Sequence, residues 1–354
     1  MVFLLIITVG ILSIIFPKSK FVSVLGFVLI FLLWGWNYWN GDFDSYEEIF
    51  YNIGKYGLDS SSAEYGYRFL NFGISELGFD FQGFMVINSL ITLTFIWLFI
   101  RESHYPAIFT LFYFIIFVMS FVFIRNYLAD ALFLHFVLLT FSRKNVKQKL
   151  LFSFLIFLIA ILFHNTAILF CVFLLVLFEK ISNKKLIFIV SGIILLFFTS
   201  INIFLSFIND ATILSKIQYY QSDINPFGPA LSHLLVVIAP SLFIWLNKEH
   251  TNYIIKEDYL KLSMLQRINI VSLIYIPLYF VFPDFSRFFK VLFTINIFFL
   301  LELFYIYKPL NSRIILSILF ISIYLILLYQ FSFSTLDFTL YPLFESNLIF
   351  NEKI

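Results

Sequence analysis

The sequence predicts an all-α polytopic integral membrane protein. Of its 354 residues 61% are hydrophobic and 12% charged, with a mean hydropathy of +0.96, well beyond the roughly 45–50% apolar usage of soluble domains. The apolar residues come in long runs. Fifty-two Phe against 12 Gly and 9 Pro suit helices with bulky lipid-facing surfaces, whereas a barrel shows alternating segments of about ten residues.

The runs fall at 2–16, 21–36, 84–100, 107–124, 127–141, 150–163, 167–178, 186–205, 231–246, 268–282, 291–307 and 314–331, which predicts about twelve transmembrane helices in a single membrane domain, 1–354. Several are shorter than the roughly 20 residues that a full crossing needs. Residues 1–16 lack a basic segment before the apolar run and a small-residue cleavage site after it, so they are expected to stay as a first span. The single cysteine, Cys171, excludes an internal disulfide framework. A net charge of +2 without a basic stripe gives nucleic acid no footprint.

Lys and Arg concentrate in cytoplasmic loops. The segments "SRKNVKQK" (142–149) and "EKISNKK" (179–185) then lie inside, and so do "PKSK" (17–20), 247–267 and "KPLNSR" (308–313). Residues 150–178 must therefore cross outward and return, which puts His164 of "HNT" toward the outer face. The acidic segment 37–83, expected to carry short helices, a second outer segment 206–230, the turn "PDFSRFFK" (283–290) and the tail 332–354 lie outside with both termini. Basic residues in "PDFSRFFK" run against the rule, so Arg287 needs a reason other than topology. Topology alone thus gathers Arg125, His164, Arg287 and the 37–83 segment on one side.

Each polar residue has two readings. Arg125, in "FVFIRNYLADALFLHF" (121–136), is a snorkelling arginine at a span end or a permanent fork for phosphate oxygens. Asp130 lies five residues on, about 140° around a helix, so it is poorly placed to neutralise Arg125 and calls for a cation on a neighbouring span or water. His164 is a core histidine at the reversal or a proton-transfer group, and Asn165 and Thr166 cap the helix that follows. Arg287 pairs with Asp284 or serves as a second cation for a polyanionic ligand. Tyr65, Tyr67 and Phe69, like Tyr219 and Tyr220, form an interfacial aromatic belt or stack on sugar rings. No Walker, GxGxxG, HExxH or CxxC motif is present, so nucleotide, dinucleotide and zinc chemistry have no support.

The segment "SFVFIRNYLADALFLHF" resembles the "FIRQxLAxALFL" signature of the EpsG-like, Wzy-type O-antigen and surface polysaccharide polymerases. Further pieces sit in the family's order and spacing: "DSYEEIFY" then "EYGYRFLN" in the first outer segment (family D-x-Y…EPGY…LN), "FHNTAI" (family FHxSA) and "SRFFKVLF" (family RFxxYF), so the resemblance covers most of residues 40–300. The sequence departs from it at Tyr65, where the family has proline, at Asn126, where it has glutamine, and at Asp130, normally apolar or small. The resemblance implies a GT-C-like, metal-independent, inverting glycosyltransferase without a cofactor, in the bacterial inner membrane with its site facing the periplasm. It would move a growing glycan from undecaprenyl pyrophosphate to the non-reducing end of an undecaprenyl-pyrophosphate-linked repeat unit in lipopolysaccharide or related synthesis, alongside a chain-length regulator protein. On that reading Arg125 and Arg287 hold the pyrophosphate, and Glu64, His164 and Asp44 are the candidates for the general base. Tyr65, Tyr67, Tyr219 and Tyr220 contact sugars. The rival function is a flippase or exporter of lipid-linked oligosaccharide, which also needs outward cations.

Overall fold

Apolar sequence in a medium without water must satisfy its backbone internally, and helices do this within one segment. The computed structural model describes residues 2–142, 144–206, 226–246, 256–281, 285, 287–307, 310–327 and 336–350, and these are helical with no strand among them. The helices are α1 (Val2–Ile15), α2 (Lys20–Gly35), α3 (Phe43–Tyr56), α4 (Tyr65–Glu76), α5 (Phe81–Ile100), α6 (Pro106–Ser120), α7 (Ile124–Phe141) and α8 (Val146–Phe163). After a 3-10 helix (Asn165–Leu177) come α9 (Asn183–Ser206), α10 (Phe227–Leu246), α11 (Lys256–Ser272), α12 (Ile276–Val281), α13 (Arg287–Ile306), α14 (Leu310–Leu327) and α15 (Leu340–Glu345). Local chemistry sets several starts. Ser19, Asp80 and Asn145 each accept a backbone N–H three residues on, at 3.2, 2.8 and 2.9 Å, and Pro106 opens α6 where its missing N–H is not needed.

The chain is a multi-pass membrane protein. Among the described residues six helical stretches are long and apolar enough to cross a bilayer: 81–100, 124–141, 146–163, 183–200, 227–245 and 257–280. The last of these revises the sequence reading, which leaves 247–267 as a loop and starts the span at 268. Charged side chains near the start of α11 hide the helix from a hydropathy count, and the structure partners them. Lys261 Nζ donates to the buried Glu302 carboxylate of α13 at 2.9 Å. Arg267, 3% exposed, donates to the carbonyls of Val176, Phe178 and Ile181 at 3.2, 2.9 and 2.6 Å.

The short run 167–178 is wound as a 3-10 helix of 13 residues, longer than such helices usually run. A rise of about 2.0 Å per residue stretches it to roughly 26 Å, against about 20 Å as an α-helix.

The chain falls into two compact units, Met1–Cys171 with Leu328–Ile354, and Val172–Leu327. In the first unit α2 and α6 approach closely at Gly26, where an added Cβ would meet Thr110 Cγ2 at 2.6 Å, and Ser23 and Thr110 hydroxyls bond at 2.7 Å. One end of this unit gathers the start of α1, the end of α2, the start of α5 and the tail. Phe3 packs on Phe344 at 5.0 Å, Gln82 Nε2 donates to Gly35 O at 2.6 Å, and Asn37 and Asn347 form an antiparallel bridge. Asn347 Nδ2 donates to Leu33 O at 2.9 Å and so caps α2. Helices α3 and α4 cover the same end, with Phe43 and Phe50 against Phe81 at 4.9 and 5.8 Å. At the other end, Ala107 N–H donates to Pro17 O at 3.2 Å and Lys149 Nζ to Thr140 O at 2.9 Å.

In the second unit buried polar side chains pair across helices. Asn269 and Asn296 exchange amide hydrogen bonds at 2.7 and 2.9 Å. His233 of α10 has Tyr279 Oη at 2.8 Å and Ser272 Oγ at 2.9 Å.

Candidate functional site

The candidate site is assembled at the end of the first unit that α3 and α4 cover. Its first piece is the start of α4. Glu64 is the N-cap, with extended backbone (φ −62°, ψ 146°), yet its carboxylate does not cap its own helix. Tyr65 is the first helical residue, the position where proline fits best, and the extended residue before it is the conformation a following proline demands. The family's proline thus has a physical reason that Tyr65 does not violate. Gly66 lies against the last turn of α8, where an added Cβ would sit 2.8 Å from Leu162 O. Tyr67 is fully buried between Tyr46 of α3 and Phe84 of α5, at centroid distances of 6.0 and 5.8 Å.

The second piece is the start of α7. Arg125 lies in its first turn, at the positive end of the helix dipole, where a cation is disfavoured unless an anion answers it. Glu64 answers it: Arg125 Nη1 lies 2.6 Å from Oε2. Tyr46 and Tyr67 flank the guanidinium at 5.8 and 5.7 Å from their ring centroids, a cation–π setting that holds it in place.

The third piece is the reversal "HNT". α8 ends at Phe163, His164 is extended (φ −155°, ψ 116°), and the 3-10 helix begins at Asn165. The Asn165 N–H donates to Glu64 Oε1 at 3.1 Å, and His164 Nδ1 lies 3.3 Å from the same oxygen. One carboxylate, 7% exposed, therefore joins the N-termini of α4, α7 and the 3-10 helix. Burial pushes this carboxyl up. The His164 imidazole, the Arg125 charge and the backbone N–H groups of Glu64 and Asn165 outweigh burial and hold it at about 2. Burial, the largest influence on Tyr67, pushes its hydroxyl above the usual phenol range.

Three of the sequence candidates, Glu64, Arg125 and His164, thus meet. Tyr67, a fourth, packs beside Arg125, and the rest stand apart or lie outside the described residues. Asp44 is exposed in the first turn of α3 and has no contact with the three. Tyr65 is 68% exposed and lies over the Arg68 guanidinium at 4.1 Å. Tyr67 has no ring face open to a sugar, because Tyr46, Phe84 and Arg125 surround it, so its observed work is to pack the site. Arg287 opens α13, but its side chain, like Tyr219 and Tyr220, lies outside the described residues. Sequence reasoning missed Tyr46 as a neighbour of Arg125 and the Asn165 N–H as a ligand. The first sits in the "DSYEEIFY" motif; the second is backbone and leaves no trace in residue type.

The two departures inside the α7 signature are partners of each other. Asn126 Nδ2 donates to Asp130 Oδ2 at 3.1 Å, one turn apart and buried. Among the described residues no group of three His, Cys, Asp or Glu gathers that could hold a metal ion.

A family model described as the EpsG family matches residues 20–344. No curated protein and no solved structure matches the chain.

Proposed function

The chain belongs to the EpsG family, a membrane family of polysaccharide biosynthesis, and from that premise we propose that it is a polymerase of lipid-linked repeat units. The observation that supports this reading most is the meeting of Glu64, Arg125 and His164, with contacts of 2.6 and 3.3 Å. On this reading the apolar helices, short ones included, cross the bilayer about twelve times in a GT-C-like arrangement. Both termini and the α3–α4 cover then face the periplasm of a bacterial inner membrane.

The donor is a glycan on undecaprenyl pyrophosphate. A hydroxyl of the acceptor's non-reducing sugar attacks the anomeric carbon from the face opposite the pyrophosphate, the carbon–oxygen bond to phosphate breaks with its electron pair on that oxygen, and the configuration inverts. Arg125 meets the charge that develops on the leaving pyrophosphate, in a setting dry enough for that charge to count. The acceptor's proton goes to a base, Glu64 or His164. Arg287 keeps the anion-binding role that its motif implies.

The test is elongation by the purified chain in detergent, given only lipid-linked repeat units. A ladder of products is expected. Transbilayer movement of the substrate in liposomes, with no elongation, would make the chain a carrier instead. In cells, Arg125→Ala and Arg287→Ala are each expected to leave the protein inserted while surface glycan falls to single repeat units, and a normal ladder removes the role given to that arginine.

A further inference from the structure

In the structure Arg125, the residue assigned to the donor's pyrophosphate, is already engaged by an anion of the chain itself. The Glu64 carboxylate accepts from Arg125 Nη1 at 2.6 Å and from the Asn165 N–H at 3.1 Å, with His164 Nδ1 at 3.3 Å. These donors, at the positive ends of α7 and the 3-10 helix, are the kind that cradle phosphate. The guanidinium Nε is buried and has no hydrogen-bond partner among the described residues. Tyr46 of α3 and Tyr67 of α4 flank the guanidinium, and His164 meets the other oxygen of the Glu64 carboxylate. Bound this way, Glu64 is a poor base, because the same contacts hold its carboxyl at about 2.

We propose that Glu64 is the resting occupant of the pyrophosphate site: the donor's pyrophosphate displaces its carboxylate from Arg125 and the Asn165 N–H, and the displaced carboxylate takes the acceptor hydroxyl's proton. This rests on the polymerase reading of the same site. Donor binding then creates the base, so the acceptor is activated only when a leaving group is in place. The atoms balance: the proton moves from the acceptor oxygen to Glu64, the new glycosidic bond forms from that oxygen, and undecaprenyl pyrophosphate leaves with the electrons of the broken bond. A carboxylate freed from a cation and from backbone donors regains basicity. The competition is between two oxyanions for one fork, so removing the internal one strengthens binding of the external one.

The experiment measures binding of geranyl pyrophosphate to the full chain in detergent, for wild type, Glu64→Gln and Arg125→Ala, beside the elongation assay. Glu64→Gln keeps the shape and loses the charge. It is expected to bind about tenfold tighter or more than wild type, since a charge-assisted hydrogen bond no longer competes, and to elongate poorly. Equal or weaker binding by Glu64→Gln overturns the exchange and leaves the polymerase reading standing; normal elongation by it overturns the base role. Arg125→Ala is expected to lose binding, and binding like wild type removes the pyrophosphate site itself. A reading that needs no variant comes from infrared difference spectra of the wild type on adding the probe. A shift of a carboxylate band is expected, and no change in that region overturns the exchange.

Discussion

Glu64 shows how one side chain carries several kinds of work in a buried setting. Its carboxyl is lowered from the ordinary 4.5 to about 2, so by linkage the ion pair contributes stability that is full above pH 4.5 and is lost as pH falls through 2. The stability difference between wild type and Glu64→Gln in detergent is therefore expected to be constant above about pH 5 and to shrink steadily below it. A difference that grows on acidification contradicts the assigned direction. Asn126 and Asp130 form the second residue-scale case, a hydrogen bond of 3.1 Å between two positions that leave the family pattern together. A double-mutant cycle with Asn126→Ala and Asp130→Ala is expected to show a coupling of about 0.6 kcal/mol, the average for side-chain hydrogen bonds within membranes. Strict additivity would mean the bond contributes nothing.

At the scale of elements, the site depends on how α4 is seated. Gly66 allows its first turn to touch Leu162 at the end of α8, where any Cβ would fall 2.8 Å from a backbone oxygen. Gly66→Ala is expected to lift α4, separate Glu64 from Asn165, and lower elongation at least tenfold while the protein still inserts, read by the in vitro ladder and membrane fractionation. Tyr65→Pro is the converse, since its position and the extended Glu64 before it already suit proline. It is expected to leave elongation within about twofold of wild type and to leave the unfolding temperature in detergent equal or higher, because proline restricts the unfolded chain. The second unit offers an element-scale counterpart in Arg267, which donates to four backbone carbonyls at and just past the C-terminal end of the 3-10 helix. The bond to the Val176 carbonyl is buried, so Arg267→Ala, which removes its donor, is expected to lower the unfolding temperature.

Across the whole molecule, charge bias assigns loops to the two sides of a membrane. In the first unit, the segments that the charge rule separates do fall at opposite ends: 17–20 and the α7–α8 turn at one, 37–83 and the tail at the other. With Cys171 replaced by Ser, a cysteine at exposed Asp44 is expected to react with an impermeant maleimide from outside, and one at exposed Lys184 only after the membrane is opened. The opposite pattern inverts the orientation and removes the periplasmic site. Sequence had an incomplete view of where helices lie. Hydropathy marks helices whose surfaces meet lipid, and misses the start of α11 because Lys261 and Arg267 find partners there that only the fold supplies.

The helical class, the membrane setting, the family and the short roster containing Glu64, Arg125 and His164 were legible in the sequence alone. Each follows from residue type and order along the chain, which is where hydropathy, charge bias and motifs reside. How those residues meet is set by the folding of the chain. It turned Glu64 from one of three candidate bases into the ligand that joins three helix starts, buried Tyr67 behind Arg125, left Asp44 outside and paired Asn126 with Asp130. The reason is physical: a contact between residues 61 and 101 positions apart depends on the seating of helices and on backbone N–H groups, and neither is written in the identity of any one residue.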